Sequence, residues 1–343
     1  MSALPPIRVL VVDDSAFARK VIRETLSANA LFEVVGIARD GLEALERISE
    51  LKPDVVTLDL VMPNLDGLGV LRALPINHAP RVVVVSMADG ESELGIAALA
   101  AGAIDIVHKP TSLATGRLYE LAEELVSKVQ AAAGARLPSI DYRPSAPMAF
   151  TPSMVTSRSI LAIGASTGGP QALTRLLKQM PANFPVPVVL VLHMPRGYTA
   201  SFAARLDDES ELHVLEATDG LVLRPGMAVV GRAGIHFKVE RRGDELIARL
   251  DVRPLTTLHT PSVDVLFESA AAEREKLLAV VLTGMGEDGL AGARKIRALG
   301  GTVLTEGESS CVVYGMPRAV AEAGLSSEVA TLEEMSNAIV RHL

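Results

Sequence analysis

The first part of the chain alternates between short apolar runs and segments with the spacing of an amphipathic helix. The apolar runs predict buried strands at 7–12, 33–38, 54–58, 81–86 and 104–107. Between them, apolar residues recur at helical spacing in segments such as 16–26, 42–51 and 94–101. Strands that alternate with helices in this way are typical of an open parallel α/β sheet.

The alternation stops at residues 131–157, where four prolines stand among small residues without a sustained period. A second alternating pattern follows, with predicted strands at 159–163, 187–192, 227–230, 246–250, 278–282 and 302–304. Its predicted helices lie at 169–180, 198–206, 262–274, 288–299 and 332–342. We therefore predict two doubly wound parallel-sheet domains, over 1–127 and 158–343, joined by a Pro-rich linker over 128–157.

The composition agrees with this division and narrows the function classes. A chain of 343 residues has the length of about two domains. Hydrophobic residues make up 49% of it, which excludes disorder over most of its length. The net charge of −8 argues against a protein that binds nucleic acid through a broad basic surface.

The sequence also bears on the cellular compartment. Cys311 is the only cysteine, so no intrachain disulfide can form, which suits a reducing cytosol. The first residues lack the apolar stretch of a signal peptide, and no run of apolar residues is long enough to span a membrane. We expect a cytoplasmic protein without direct membrane insertion.

Charged and polar residues gather at the predicted strand ends of the N-terminal domain. Asp13 and Asp14 follow the first strand, Asp59 the third, Ser86 ends the fourth and Lys109 follows the fifth. Because ligands of an open α/β sheet collect at the carboxyl ends of its strands, these groups are expected to converge. The simpler alternative is a helix cap at Asp13 and Asp14, with Asp59 in a loop and Lys109 in solvent.

Three clustered carboxylates repel one another unless a cation lies among them. Oxygen ligands of this kind suit Mg²⁺, which takes one or two carboxylates together with a phosphate oxygen. A carboxylate can also act as the nucleophile in phosphoryl transfer and form an aspartyl phosphate. Lys109 would then pair with the incoming charge, and Ser86 would donate a hydrogen bond to a phosphoryl oxygen.

The C-terminal domain begins with an apolar strand that runs into a glycine-rich loop, SILAIGASTGGP at 159–170. Ser166 lies where its oxygen could attack an acyl carbon while N–H groups at the start of the next helix bind an oxyanion. The loop could instead cradle a phosphate or nucleotide, or Ser166 or Thr167 could simply cap the helix. The sequence matches G-x-S-x-G but neither G-x-G-x-x-G nor the P-loop.

A nucleophilic serine needs a base and a group that orients the base. His193 directly follows the next strand, PVVLVL, and Asp288 follows the strand LAVVL in the segment LTGMGEDG. Both would emerge at the same sheet edge as Ser166. The order Ser, His, Asp differs from that of α/β-hydrolases, although triads occur on unrelated folds. Three other histidines, which we interpret as exposed or structural, are His213, His236 and His259.

The motifs VVDDS, LDLVMPNLDG, VVVVSM and GAIDIVHKP resemble the receiver domain of two-component response regulators over about residues 5–127. The resemblance implies a flavodoxin-like fold in which Asp59 accepts a phosphoryl group from a histidine kinase. The ligands that it implies for Mg²⁺ are Asp13, Asp14, Asp59 and the carbonyl of Val61.

The same resemblance makes Ser86 and Lys109 the switch pair. Receivers usually carry an aromatic residue three positions before the lysine, and here that position is Ile106. The chain therefore departs from the family at the aromatic part of the switch.

The C-terminal half resembles the catalytic domain of chemotaxis protein-glutamate methylesterases, the CheB family. The matching motifs are IGASTGGP, VLHMPRGYTASFAARL, EATDGLVLRPGMAVVG, HTPSVDVLFESAA, VVLTGMGEDGLAGARKI and SSCVVYGMPRAV. Arg232 is a small departure, because the family often has proline there. The resemblance implies a Rossmann-like domain with Ser166 as nucleophile, His193 as general base and Asp288 as orienting carboxylate. It further implies that Thr167 positions the histidine and that the Met285 N–H serves an oxyanion hole.

By the same resemblance, this is a phosphorylation-activated hydrolase with no cofactor in the esterase step. The resemblance implies that it removes methyl groups from receptor glutamates, releasing methanol, and that it deamidates receptor glutamines. The implied partners are methyl-accepting chemotaxis receptors and the histidine kinase of that system, at receptor arrays in the cytoplasm. Two rival hypotheses are a module that binds a phosphate or nucleotide without catalysis, and a DNA-binding regulator, for which no basic helix-turn-helix is present.

Overall fold

The computed structural model describes residues 5–75, 79–87, 92–109, 115–135, 156–253 and 255–343, with the backbone alone for 115–121 and 275. The chain forms two compact units, Met1–Ala135 and Arg136–Leu343. Each is built on a parallel sheet between helices, which confirms the predicted fold class. None of the described helices combines the length and the apolar character that crossing a bilayer requires.

The N-terminal unit has five parallel strands in the order β2-β1-β3-β4-β5, the flavodoxin-like arrangement. The strands are β1 (Ile7–Val12), β2 (Phe32–Ala38), β3 (Val55–Leu58), β4 (Arg81–Ser86) and β5 (Asp105–His108). The helices are α1 (Ala16–Ser27), α2 (Gly41–Leu51), α3 (Gly67–Ala73), α4 (Ser92–Ala100) and α5 (Thr115–Ala133). The four residues of β3 and the last four of β1 are buried, as expected for apolar strands covered on both faces.

The C-terminal unit contains a seven-stranded parallel sheet in the order β15-β14-β13-β6-β7-β10-β8 and a three-stranded antiparallel sheet, β11-β12-β9. Its strands are β6 (Ile160–Ala165), β7 (Val188–Leu192), β8 (His213–Glu216), β9 (Val222–Leu223), β10 (Met227–Val230), β11 (His236–Arg242), β12 (Glu245–Asp251), β13 (Leu277–Val281), β14 (Thr302–Glu306) and β15 (Glu328–Ala330). Its α-helices are α6 (Gly169–Leu177), α7 (Thr199–Glu209), α8 (Val263–Ala270), α9 (Leu290–Ala298), α10 (Met316–Glu322) and α11 (Leu332–His342). A 3₁₀ segment, Ala271–Lys276, follows α8.

The strand order decides which loops can share a site. Strand β6 lies between β13 and β7, and all three run parallel. The loops after β13, β6 and β7 carry Asp288, Ser166 and His193, respectively. Three residues far apart in sequence therefore start from adjacent points on one sheet edge.

The predicted linker differs from the structure at its start. Helix α5 runs to Ala133 and so continues past residue 127, the predicted end of the first domain. Most of the linker, residues 136–155, lies outside the described residues. The domain boundaries proposed from sequence therefore stay a prediction.

Candidate active site and phosphoacceptor site

The carboxyl edge of the N-terminal sheet brings together the acidic residues that the sequence singled out. Oxygens of Asp13, Asp14 and Asp59 all lie within 4.8 Å of one another. Lys109 reaches into the group, with its Nζ 2.8 Å from Asp59 Oδ2 and 2.9 Å from Asp13 Oδ2. The predicted convergence is therefore present in the structure.

The alternative of a helix cap at Asp13 and Asp14 is not what the structure has. The residue that caps α1 is Ser15, whose hydroxyl accepts a hydrogen bond from the Ala18 N–H. Asp13 is fully buried, and its Oδ1 accepts from the Ser15 N–H at 2.8 Å. Asp14 is exposed at the mouth of the group.

Burial dominates the electrostatics of this group. It raises the pKa of Asp59 to about 6, and the Asp13 charge adds to the rise although the Lys109 hydrogen bond opposes it. Burial likewise raises the pKa of Asp13. Burial acts to lower the pKa of Lys109, but hydrogen bonds to Asp59 and Asp13 outweigh it and raise that pKa. One ammonium thus offsets part of the charge of three carboxylates, and a divalent cation suits what remains.

The switch residues of the resemblance are neighbours in the sheet. Ser86 ends β4 and is fully buried, and it pairs in register with His108 of β5. The Lys109 N–H donates to the Ser86 carbonyl at 2.7 Å. Ile106 is buried in β5, in the position where receivers usually carry an aromatic ring. Val61 lies in the loop after β3, and the role of its carbonyl stays a prediction.

The glycine-rich loop after β6 holds Ser166 between two strand ends. The Ser166 N–H donates to the Thr283 carbonyl at 3.0 Å, and the Ser166 carbonyl accepts from the Gly169 N–H at 2.7 Å. The N-cap of α6 is Gly168, at φ +78°, with no side-chain capping bond. A simple cap by Ser166 or Thr167 is therefore not present, and the half-buried Ser166 lies just before the helix.

Gly284 lets the loop after β13 pass close to Ser166. A Cβ at this position would lie 2.8 Å from the Ser166 Cβ and 2.4 Å from the Met316 sulfur, closer than real Cβ contacts. The loop after β13 can therefore pass against the nucleophile loop only because residue 284 has no side chain.

His193 and Asp288 meet as the sequence predicts. His193 Nε2 and Asp288 Oδ2 are 2.8 Å apart, and both side chains are largely buried. The backbone N–H of His193 donates to the Ala165 carbonyl at 3.1 Å, which links the histidine to the residue before Ser166. His193 Nδ1 is buried and has no hydrogen-bond partner among the described residues.

Four donors surround the Asp288 carboxylate. Oδ1 accepts from the Ser262 hydroxyl at 2.8 Å and the Asp264 N–H at 2.9 Å, while Oδ2 accepts from the Val263 N–H at 2.8 Å as well as facing His193. Burial acts to raise the pKa of Asp288, but the His193 bond and the backbone donors hold it well below its ordinary value. An ionised Asp288 accepts a hydrogen bond from the Nε2–H of His193. In that tautomer the lone pair of the imidazole lies on Nδ1.

Sequence reasoning missed several residues around this pair. The ring of His259 stacks on that of His193, with centroids 3.9 Å apart. Ser262 caps α8 and also bonds Asp288, while Asp264 accepts from the Gly289 N–H at 2.9 Å and so holds the loop that carries Asp288. Burial raises the pKa of Asp264 to about 6. A capping serine before an apolar helix was the one local signal, and it indicates a helix start rather than a role at the site.

The remaining candidates have structural settings that leave their roles as predictions. Thr167 is buried, and its carbonyl accepts from the Thr283 hydroxyl at 3.0 Å. Met285 is half-buried in the loop between β13 and α9. Of the other two candidate histidines, His213 is exposed beside Asp207, away from the pair. His236 is buried near Thr257, whose hydroxyl also donates to the His259 carbonyl.

Comparison with known proteins follows the same division of the chain. The family model of the CheB methylesterase matches residues 161–339, and that of the response regulator receiver domain matches residues 9–120. A protein of Myxococcus xanthus named protein-glutamate methylesterase/protein-glutamine glutaminase 5 is 60% identical, with 100% of both chains covered. A Thermotoga maritima protein of the same name, without a number, is 40% identical over 94% of each chain.

A solved structure supports the likeness of the second unit. The crystal structure of the Thermotoga maritima CheB methylesterase catalytic domain matches with a TM-score of 0.53 and 39% sequence identity. The match covers 55% of this chain and 100% of that one. Sequence and structure therefore point to the same relatives.

Proposed function

The chain belongs to the CheB methylesterase family, and from this we propose that it is a phosphorylation-controlled serine hydrolase that acts on chemoreceptors. It demethylates glutamate γ-methyl esters, releases methanol and deamidates glutamines, in keeping with relatives that are named protein-glutamate methylesterase/protein-glutamine glutaminase. The observation that carries the proposal is the His193–Asp288 pair: the backbone N–H of His193 is bonded to the Ser166 loop, and its buried Nδ1 has no partner in the described structure.

In the esterase reaction, His193 Nδ1 takes the Ser166 hydroxyl proton as Oγ attacks the ester carbonyl. The Met285 N–H stabilises the oxyanion. Collapse of the tetrahedral intermediate breaks the bond to the methoxy group, which leaves as methanol with the proton from His193. Water, activated by the same imidazole, then hydrolyses the acyl-enzyme and yields glutamate. With a glutamine side chain the same steps expel ammonia.

Asp288 keeps the base ready throughout. Its ionised carboxylate holds the His193 Nε2 proton and stabilises the imidazolium that forms when Nδ1 is protonated. Thr167 helps to place the histidine ring.

The proposal is tested by methanol release from chemoreceptors carrying labelled methyl esters, with and without a small phosphodonor such as acetyl phosphate. We expect release by the wild-type chain and an increase with the phosphodonor. Tight binding of a nucleotide without methanol release would instead support the rival binding module.

In this proposal the receiver unit regulates the esterase. Asp59 attacks the phosphoryl group on the kinase histidine and forms an aspartyl phosphate, while the P–N bond breaks and the histidine leaves; Lys109 pairs with the charge that arrives. Asp13, Asp14, Asp59 and the Val61 carbonyl would hold Mg²⁺, which neutralises phosphoryl oxygens when bound. Ser86 donates to a phosphoryl oxygen after transfer. Since the substrates and the kinase belong to receptor arrays, we propose recruitment to those arrays in the cytoplasm.

Removal of divalent cations is expected to abolish phosphorylation of Asp59 by acetyl phosphate. Three converging carboxylates with one lysine leave an uncompensated negative charge that opposes an incoming phosphate. Phosphorylation is measured by mass spectrometry or phosphate-affinity gels after EDTA treatment and after Mg²⁺ readdition. Undiminished labelling in EDTA contradicts the metal site.

Asp59→Asn is expected to keep the basal methylesterase rate and to lose the increase caused by the phosphodonor. The amide cannot accept a phosphoryl group, and Asp59 lies in the other structural unit from Ser166. Asp54→Asn is a control, because Asp54 is an acidic residue at the amino end of β3 whose carboxylate accepts from the Arg8 N–H. Stimulation that persists in Asp59→Asn would place the phosphoacceptor elsewhere.

A further inference from the structure

A second carboxyl group, which the reaction does not use, lies under the active-site loops. Glu306 ends β14, the strand next to β13, and its exposed fraction is 0%. Its Oε2 accepts from the Thr283 N–H at 2.8 Å, and its Oε1 accepts from the Ser310 hydroxyl at 2.9 Å. Both loops that leave this part of the sheet are therefore bonded to one side chain.

Burial destabilises the charged form of Glu306, and its hydrogen bonds only partly offset this effect. No lysine or arginine of the described residues forms an ion pair with Glu306, and burial raises its pKa to about 6 although both hydrogen bonds oppose the rise. An apolar residue would avoid the cost of burial but would leave the Thr283 N–H without an acceptor. The hydrogen bonds are therefore what this residue type contributes.

Thr283 connects Glu306 to the nucleophile loop through hydrogen bonds. Its carbonyl accepts from the Ser166 N–H at 3.0 Å, and its hydroxyl donates to the Thr167 carbonyl at 3.0 Å. The two residues after it are Gly284, which passes against Ser166, and Met285. A shift of Thr283 would therefore move the nucleophile and the proposed oxyanion donor relative to each other.

The other contact of Glu306 supports the opposite side of this loop. Ser310 also accepts from the Leu332 N–H at 2.9 Å, which anchors its segment to α11. Farther along that segment, the Val313 N–H donates to the Thr283 hydroxyl at 2.9 Å and the Val313 carbonyl accepts from the Gly284 N–H at 3.0 Å. Thr283 is thus bonded from both sides, with Glu306 beneath it.

We propose that Glu306 is a positioning residue of the esterase, which fixes the Thr283–Met285 segment against the Ser166 loop through its reach and its acceptor oxygens rather than through its charge. The inference rests on the proposed function, because the segment matters only if Ser166 is the nucleophile. Glu306 is buried and does not touch the substrate.

Three substitutions separate reach from charge. Glu306→Gln keeps the length and an acceptor for the Thr283 N–H, and its amide can donate to Ser310, whose hydroxyl then turns to the Gly307 carbonyl 3.3 Å away. Glu306→Asp keeps the charge but is one methylene too short to hold both partners. Glu306→Ala removes both contacts.

We expect kcat for methanol release to fall about 10-fold or more in the Ala and Asp variants, because small displacements of reacting groups are amplified in rate. The Gln variant should retain at least about half of the wild-type kcat, and KM should change little in all three. Rates are expressed per folded molecule from the unfolding transition of each variant. Labelling of Ser166 by a fluorophosphonate provides a second readout and should slow in the same order.

Glu273→Ala is the matched control. Glu273 is also buried and accepts from the Ser159 hydroxyl at 2.7 Å, next to the amino end of β6 and away from Ser166; unlike Glu306 it also pairs with an arginine, Arg241. It should lower stability without lowering kcat. A wild-type kcat in Glu306→Ala, or an Asp variant more active than the Gln variant, overturns the proposal. Failure of the proposed function appears differently, as equal methanol release by the wild type and Ser166→Ala.

Discussion

Ser166→Ala is expected to reduce methanol release by about 10³-fold or more, to near the background of receptor alone. In the proposed mechanism the serine hydroxyl forms the acyl-enzyme, and alanine has no group that can replace it. The alanine side chain fits the same space, and the Ser166 N–H and carbonyl keep their bonds to Thr283 and Gly169. The unfolding midpoint should therefore change little.

The measurement is single-turnover release of labelled methanol, compared with wild type at equal receptor concentration. Ser210→Ala is the control, because the Ser210 hydroxyl bonds the Leu206 carbonyl at the end of α7 and touches none of the residues around Ser166. Methanol release near the wild-type rate by Ser166→Ala would contradict the assignment of Ser166 as the nucleophile. Loss in both variants would indicate a general effect of handling or stability.

Asp288→Asn is expected to reduce the rate by about 10³–10⁴-fold, the scale seen when a triad carboxylate becomes an amide. Oδ1 and Oδ2 each face backbone N–H donors, from Asp264 and Val263. Whichever side the amide NH₂ takes, it opposes a donor. If it takes the His193 side, the imidazole must hold its proton on Nδ1, where it cannot accept one from Ser166.

Asp207→Asn is a matched control, because Asp207 also pairs with a histidine, His213, but at an exposed position at the end of α7. It should leave methanol release unchanged. Since Asp288 also supports the start of α8, the unfolding midpoint of Asp288→Asn must be measured, and the rate referred to the folded fraction. A folded Asp288→Asn protein with wild-type kcat would remove Asp288 from the mechanism.

The parallel sheets could be predicted because their strands are apolar on both faces. Runs such as VVVVS at 82–86 and VVLVL at 188–192 need no knowledge of their neighbours to be identified. Strand β11, HFKVERR, was missed because only three of its seven residues are buried, four are charged, and the last three are exposed. Its pairing with β12 in an antiparallel ladder offsets that polarity, and such pairing is not visible in one segment.

The site residues could likewise be predicted where they lie next to such apolar strands. Ser166, His193 and the acidic group of the receiver could be identified because they directly follow recognisable strands, and Asp288 because it lies in the loop after one. Ser262 and His259 come from the irregular segment between β12 and α8, so their proximity to Asp288 and His193 depends on how that segment returns to the sheet edge. Glu306 looks like an ordinary polar strand end until its burial is known.

The close approach at Gly284 has an evolutionary consequence. Any single-base change of a glycine codon that adds a side chain would push against Ser166 and Met316, so position 284 is closed to mutational drift while the serine is under selection. The next residue, Met285, is half-buried and has a side chain, so the requirement for glycine at 284 does not extend to it. Variants of this enzyme with an altered substrate range would then be expected to retain glycine at 284.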